Sequence, residues 1–339
     1  MIPDFVNKEA LTELIDRIVD RTFKMDFTWD WPGGVAYFGV AEAYEATGNA
    51  SYLEKLRNWA DERLEEGLPP FTVNAMAVGH LLLTLHQATE DRRYLEAAER
   101  MADYLLKEAP RLPNGVFEHT VGEGFKFPQQ AWVDTMMMAG YFLVRIGSRL
   151  QRSDYLEEGL RQYHGHEELL QDGTTNLYYH GWDEASQSHL SAVFWARGNA
   201  WAALTMAGAL KHVKVQHPSY MMIDGSLRDQ LSALVRLQDE TGLWPTVLND
   251  PESYAETSAS AGIAAALASR GALYRRQTER ALAGIVARVA EDGTVTGVSA
   301  GTAVMDDADG YKGISVKRIQ GWGQGLTLAF LSRLLKTEG

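Results

Sequence analysis

Residues 129–142 read QQAWVDTMMMAGYF, and the reading of that stretch decides the fold. Its apolar spacing predicts the start of a helix over 129–150, with residues three and four apart sharing a face. On that face Asp134 stands with Gln130, Met137, Met138 and Tyr141. A solvated face would not carry two methionines, and a plain core face would not carry an acid. The pattern implies a mostly apolar cavity with one placed charge. Apolar neighbours such as Trp132 and Met138 disfavour ionisation, so Asp134 is expected to have a raised pKa and to keep its proton near neutral pH, as a general acid does. The plain alternative is an acid bonded to a helix end or an arginine.

Outward from that stretch, helical periodicity continues along the chain. Helices are expected near 5–23, 33–47, 50–66, 72–89, 91–108, 129–150, 153–171, 195–215, 219–239, 256–270, 273–291 and 322–336,. The turns TGNAS, LPP, RLPNG and QDETG separate several of them, and NLYYHGW and GTVTGVS have the composition of small hairpins in loops,. A weak repeat places Tyr-Leu-Glu at a helix start three times, at Tyr52, Tyr94 and Tyr155, each after a short polar turn. Such short turns require antiparallel, packed helix pairs. The tyrosines are 42 and then 61 residues apart, too irregular for an open solenoid,. The expected architecture is all-α, an (α/α)6 barrel of six hairpins closed into a toroid, as a single domain over 1–339.

The 339 residues carry a net charge of −13, no cysteine, and no long block of lysine or arginine. Disulfides and cysteine-based sites are excluded, and nucleic acid and anionic membrane are poor partners for such a surface. No apolar run reaches the roughly 20 residues of a membrane span, and the first twenty residues have the pattern of an amphipathic helix, not an export signal. A soluble, cytoplasmic protein is expected.

The aromatic residues gather with polar ones at segment ends. FWARGNAW supplies Trp195, Arg197, Asn199 and Trp201 at a helix start, and YYHGW supplies His180. Aromatic faces stack on sugar rings, an arginine fork matches a carboxylate, and a helix N-terminus favours an anion. Together they describe a site for an acidic sugar. The alternative is that the tryptophans are core and Arg197 pairs with a protein acid. Trp29 and Asp30 stand at the mouth of another helix, where Asp30 could equally be an N-cap, and Gly33 and Gly34 allow close backbone approach. His119 lies in a loop. His164 and His166 are expected on a solvated helix surface. DDADG, residues 306–310, lacks the spacing of a calcium loop, and GWGQG, residues 321–325, follows no strand, so neither supports a ligand.

The ordered set QAWVDTMMM, YYHGWDE, FWARGNAW, GLWPTVLND and YAETSASA resembles glycoside hydrolase family 105, the unsaturated rhamnogalacturonyl hydrolases, and more distantly the unsaturated glucuronyl hydrolases of family 88. The resemblance covers nearly the whole chain from Trp29. It implies an (α/α)6 barrel, no metal and no cofactor. It also implies oligosaccharide substrates left by polysaccharide lyases, with a 4,5-unsaturated uronate at the non-reducing end, and vinyl-ether hydration in place of displacement at the glycosidic carbon. Asp134 takes the place of the general acid/base. His180, Trp195, Arg197 and Trp201 take those of substrate contacts, and Glu256, Thr257 and Ser258 fall in a loop near the pocket. Trp29, Asp30, His119, Gln130 and Trp132 complete the expected substrate-binding set. The family often has a second aspartate where this chain has Asn74, which can hydrogen-bond a water or hydroxyl but cannot take a proton. Two alternatives stand beside this reading: another (α/α)6 sugar enzyme such as an epimerase-isomerase, which wants two opposed histidines, and a non-catalytic helical binding scaffold. Loops 109–128 and 292–321 are expected to shape the pocket.

Overall fold

Six helices of the protein are buried on nearly every side. A computed structural model describes residues 7–121 and 125–336, with backbone alone at 125 and 126; the expected helix start at residue 5 lies outside them. The helices are α1 (Lys8–Thr22), α2 (Trp31–Thr47), α3 (Ala50–Glu66), α4 (Gly79–Thr89), α5 (Arg92–Lys107), α6 (Tyr141–Leu150), α7 (Ser153–Leu170), α8 (Ala196–Ala209), α9 (Pro218–Leu234), α10 (Thr257–Ala268), α11 (Arg275–Val286), α12 (Ala308–Lys312) and α13 (Gly321–Leu335). α2, α4, α6, α8, α10 and α13 pack in that order and close back on α2. This is the inner ring. α1, α3, α5, α7, α9 and α11 lie outside it, each against an inner helix. The architecture is therefore the (α/α)6 toroid, and α12 is a short addition inside the expected 292–321 loop.

Composition explains which helix goes where. Every residue of α8 is buried, and its sequence, with alanine, glycine and leucine on all sides, suits a helix enclosed by neighbours. α5 buries Tyr94, Ala97, Ala98, Met101, Ala102 and Leu105 and leaves the rest half-buried or exposed, the one-sided stripe of an outer helix. Inner helices touch backbone to backbone where side chains vanish. A Cβ on Gly39 would collide with the backbone of Gly325, so α2 and α13 can cross only with glycine there. Gly34 meets the 3-10 turn Asn74–Val78 in the same way, a Cβ falling 2.7 Å from Ala77.

The Tyr-Leu-Glu repeat has a physical meaning. Tyr52 donates its hydroxyl to Asp16, Tyr94 to Asp61 at 2.7 Å and Tyr155 to Asp103 at 2.7 Å. Each bond ties one outer helix to the previous one, across the inner helix between them. The repeat is a clasp of the outer ring.

One expectation is overturned. Residues 129–150 do not form one helix. Gln130–Trp132 is a strand, β3, a turn follows, Met136–Gly140 makes a π-helical turn, and α6 begins only at Tyr141. Gln129 has φ 61°, a left-handed backbone that no helix start has. β3 pairs with β4 (Gly181–Asp183), which pairs with β5 (Ser188–His189), and a second hairpin joins β1 (Thr120–Val121) to β2 (Phe125–Lys126). The β3 pairing partner is some fifty residues away, so local periodicity could not have shown it. No helix of the described residues is long and apolar enough to cross a membrane.

Candidate active site

The small sheet builds the site. Trp132 pairs with Gly181, and the N–H of Val133 donates to the carbonyl of His180 at 3.0 Å. That ladder brings Asp134 and His180 side by side. On the other edge of β3 the N–H of His119 donates to the carbonyl of Gln130 at 2.8 Å. Beyond Asp134 the chain turns into the π-helical turn, with the Asp134 carbonyl accepting from Met137 and Met138 at 3.0 Å each. Such bulges are frequent at functional sites.

Asp134, His119 and Trp132 face a cavity of about 200 Å³ at the end of the ring where the inner helices begin, whereas His180, expected to touch substrate, lies behind Asp134 and off the wall. Its walls are the rings of Trp31, His119, Phe127, Trp132, Trp195 and Trp201, with Asn74, Val121, Asp134, Arg197 and the run Gly301–Ala303 between them. Both loops expected to shape the pocket do so. His119 stacks flat on Trp132, centroids 4.1 Å apart at 10°, and Trp31 stacks on Trp322 at 4.5 Å. Among the buried polar atoms without a hydrogen-bond partner are Asn74 Oδ1, His119 Nδ1, Asp134 Oδ2, Trp195 Nε1 and Trp201 Nε1. Buried polar groups are ordinarily paired, and these five converge on one cavity wall, where they offer donors and acceptors to a polar ligand. No cluster of three or more metal-ligating side chains occurs among the described residues.

Asp134 is buried, with 13% of its side chain accessible. Oδ2 lies 3.4 Å from Nε2 of His180, which is fully enclosed. Burial pushes the Asp134 pKa up, but the contact with His180, together with the nearby His119 and the Arg197 guanidinium, more than offsets it, so the group lies below its ordinary value,. The expectation of a raised pKa fails for that reason: a reading of apolar neighbours missed three nitrogen-bearing ones. Burial also lowers His180 and takes His119 to about 4, so both imidazoles are neutral at pH 7. Trp132 separates the two histidines, its ring 4.1 Å from His119 and 5.3 Å from His180. They do not oppose each other across the cavity as an epimerase-isomerase site would want.

Arg197 borders the cavity, but its fork is already occupied. Nη1 donates to Glu256 Oε1 at 3.2 Å and to the Ser299 carbonyl at 3.2 Å, and Nη2 to the Ala300 carbonyl at 2.9 Å and Thr302 Oγ1 at 3.0 Å. The arginine rivets the 299–302 segment in place and lies over the Trp195 ring at 4.6 Å. Glu256 and Ser258 sit beneath it, fully buried and away from the cavity. Glu256 caps α10, accepting from Ala259 at 2.5 Å, Ser258 at 2.8 Å and the Ser299 N–H at 2.8 Å. Their expected contact with substrate is replaced by a supporting role.

Other expected site residues also move. Asp30 is the N-cap of α2, bonded to the Trp31 N–H at 2.7 Å, and burial raises its pKa. That cap makes Trp31 the first helical residue, and Trp31, not Trp29, lines the cavity. Trp29 stacks on Trp59 at 5.9 Å, outside it. Gln130 is likewise off the wall, accepting from Trp132 Nε1 at 3.0 Å. His166 is fully buried, not solvated, with Nδ1 2.7 Å from the Gln162 carbonyl. Asp307, in DDADG, caps α12 through the Gly310 N–H. Trp31, Val121, Phe127, Gly301–Ala303 and Tyr311 are not among the expected contacts, although all but Trp31 fall inside the loops 109–128 and 292–321. The run Trp29-Asp30-Trp31 held a signal for the first, since an aspartate N-cap fixes which tryptophan starts the helix; for the others the signal stopped at the loop.

A second cavity lies at the opposite end, lined by Tyr44, Glu45, Thr84, Gln87 and Lys336. Lys336 lines it and pairs with Glu45 at 2.8 Å, and with Tyr44 as its one aromatic residue it has neither the ring-lined wall nor the unpaired polar atoms of the first.

Comparison with known proteins agrees with this geometry. The profile of Glycosyl Hydrolase Family 88 matches residues 4–338. The chain is 61% identical over 333 residues to the unsaturated rhamnogalacturonyl hydrolase YesR of Bacillus subtilis, covering 98% of this chain and 97% of the relative. It is 25% identical over 329 residues to an unsaturated 3S-rhamnoglycuronyl hydrolase of Formosa agariphila, covering 91% and 85%. A crystal structure of a possible GH105 member from Salmonella enterica serovar Paratyphi A superposes with a TM-score of 0.93 at 28% identity, over 98% of this chain and 96% of that one. With its closed helical ring and its buried acid in an aromatic cavity, the chain belongs to glycosyl hydrolase family 88.

Proposed function

We propose that this enzyme removes the terminal 4,5-unsaturated uronic acid from oligosaccharides cut by polysaccharide lyases, with rhamnogalacturonan fragments as its substrates. The observation that carries the reading is Asp134: one carboxylate in an aromatic cavity, backed by a neutral histidine. The similarity to the Bacillus subtilis enzyme supports the choice of fragment. Aromatic walls offer stacking faces for a pyranose. The inner helices begin at this end of the ring, and their positive ends favour a uronate. Arg197 adds a charge behind the 299–302 segment without forming the fork itself. The whole ring serves as one catalytic domain.

Asp134 gives its proton to C4 of the ring alkene, and positive charge develops at C5 beside the ring oxygen. Water adds at C5, and the Asp134 carboxylate takes back the proton that water releases. The resulting hemiketal opens and the neighbouring sugar leaves with its hydroxyl. Asn74, in the wall of the same cavity, holds the water or a sugar hydroxyl through its amide. Asp134 is ionised at neutral pH in the free enzyme. The approach of an anionic uronate and the exclusion of water both favour its protonated form.

The test is the loss of ultraviolet absorbance as the alkene of an unsaturated rhamnogalacturonan disaccharide is consumed. Asp134→Asn should lower kcat by at least about a hundredfold, the lower range for a general acid, while the helical circular dichroism stays unchanged. A folded Asp134→Asn variant with native kcat rejects the assignment.

A further inference from the structure

The contacts behind Asp134 continue past His180. Nδ1 of His180 lies 2.8 Å from the hydroxyl of Tyr311, on α12. Both residues are buried. An ionised carboxylate only accepts, so the Nε2 that faces Asp134 carries the imidazole proton, and Nδ1 is left to accept the phenol proton in a hydrogen bond,. Burial raises the Tyr311 pKa, which keeps that proton in place. A neutral imidazole carries a single proton, so a His180 whose Nδ1 accepts must carry it on Nε2. Nε2 is the atom 3.4 Å from Asp134 Oδ2.

Resting on the reading of Asp134 as the proton donor, we propose that Tyr311 is a positioning residue that fixes His180 as its Nε2–H tautomer, so that the Tyr311–His180 string presents an N–H to the Asp134 carboxylate across 3.4 Å. The string favours the conjugate base and makes Asp134 a stronger acid. An alkene carbon is a poor base, and a stronger acid suits it. Other groups face Asp134 too: His119 beside β3, Arg197 from α8 and His166 from α7. Tyr311 differs from them because it acts through the tautomer. Its segment is pinned for that purpose: Lys312 pairs with Asp250 at 3.0 Å, and the Tyr254 hydroxyl reaches the Tyr311 carbonyl at 3.4 Å.

Two readouts test this. Nitrogen-15 NMR of histidine-labelled enzyme reports the tautomer without any substrate. His180 should show a protonated Nε2 and a bare Nδ1; a proton on Nδ1 overturns the proposal. In Tyr311→Phe that signature should weaken, and the pH above which kcat/KM declines should rise by up to about one unit, a tenfold change in the protonated fraction of Asp134. A Tyr311→Phe variant in which either the tautomer or that pH is unchanged also overturns it. If the wild-type enzyme leaves every unsaturated oligosaccharide intact, the reaction assigned to the site fails, and the tautomer is still decided by NMR.

Discussion

Asp134 and Glu256 are both carboxylates buried at the end of the ring where the inner helices begin, and they are held in opposite ways. Glu256 receives Arg197, Ser258, the Ala259 N–H and the Ser299 N–H. Asp134 Oδ2 has no well-formed hydrogen bond and only a 3.4 Å contact with His180. A fully bonded acid is part of the scaffold. An acid left short of partners can exchange a proton, because neither of its charge states is locked. The two carboxylates should therefore fail in different measurements, and the Asp134→Asn experiment supplies the first half: activity falls by orders of magnitude, while the midpoint of urea unfolding moves little. An equal loss of stability in that variant would erase the distinction.

Glu256→Gln supplies the other half. The amide presents N–H groups to neighbours that are themselves donors, and Arg197 keeps its charge with no counter-ion in a buried place. Breaking such a pair from one side costs about 3–5 kcal/mol. The unfolding midpoint should fall accordingly. Activity should fall as well, because Arg197 also anchors the 299–302 segment that forms part of the cavity wall. A stability change under about 1 kcal/mol would mean that water or local movement satisfies the arginine.

Acid titration separates the two regions less sharply, since it acts on the interior as a whole. Burial lowers His80 to about 3, and His119 and His166 to about 4. The unfolded chain takes up these protons near pH 6.5, whereas the folded protein refuses them until pH 3–4. Stability is therefore full above 6.5 and is lost as pH falls through that window, by about 1 kcal/mol per histidine over the first unit. A protein equally stable at pH 5.5 and 7.5 would show that these rings are solvated.

The ring was legible in the sequence and the inside of the site only partly so, for a physical reason. Helix periodicity and turn residues are local, and all twelve ring helices show in them. The exception, residues 129–150, fails where a distant partner decides: β3 exists because Gly181–Asp183 pairs with it. Asp134 stood out because an acid among methionines is anomalous at any range. Arg197 stood out among tryptophans at a helix start and Glu256 only through the family resemblance, but that the fork takes Glu256 depends on a contact between residues 59 positions apart in the chain. Tyr311 had nothing local to mark it, since its function follows only from the ring nitrogen it meets.

The smallest effect belongs to a region far from either carboxylate. The outer-ring clasps join Tyr94 to Asp61 at 2.7 Å and Tyr155 to Asp103 at 2.7 Å, with Tyr52 on Asp16 as the third. The aspartates are half-exposed, so water can replace a lost hydroxyl, and Tyr94→Phe should cost only about 1 kcal/mol. Consecutive clasps share an outer helix but no side chain, so their costs should add in the triple phenylalanine variant to within about 0.5 kcal/mol. None of the three tyrosines lines the cavity, so kcat on the unsaturated disaccharide should stay at the native value throughout. If the triple variant loses activity before it loses folding, then strain in the outer ring reaches Asp134. The separation drawn between a bonded scaffold and an under-bonded acid would then have to include the whole ring.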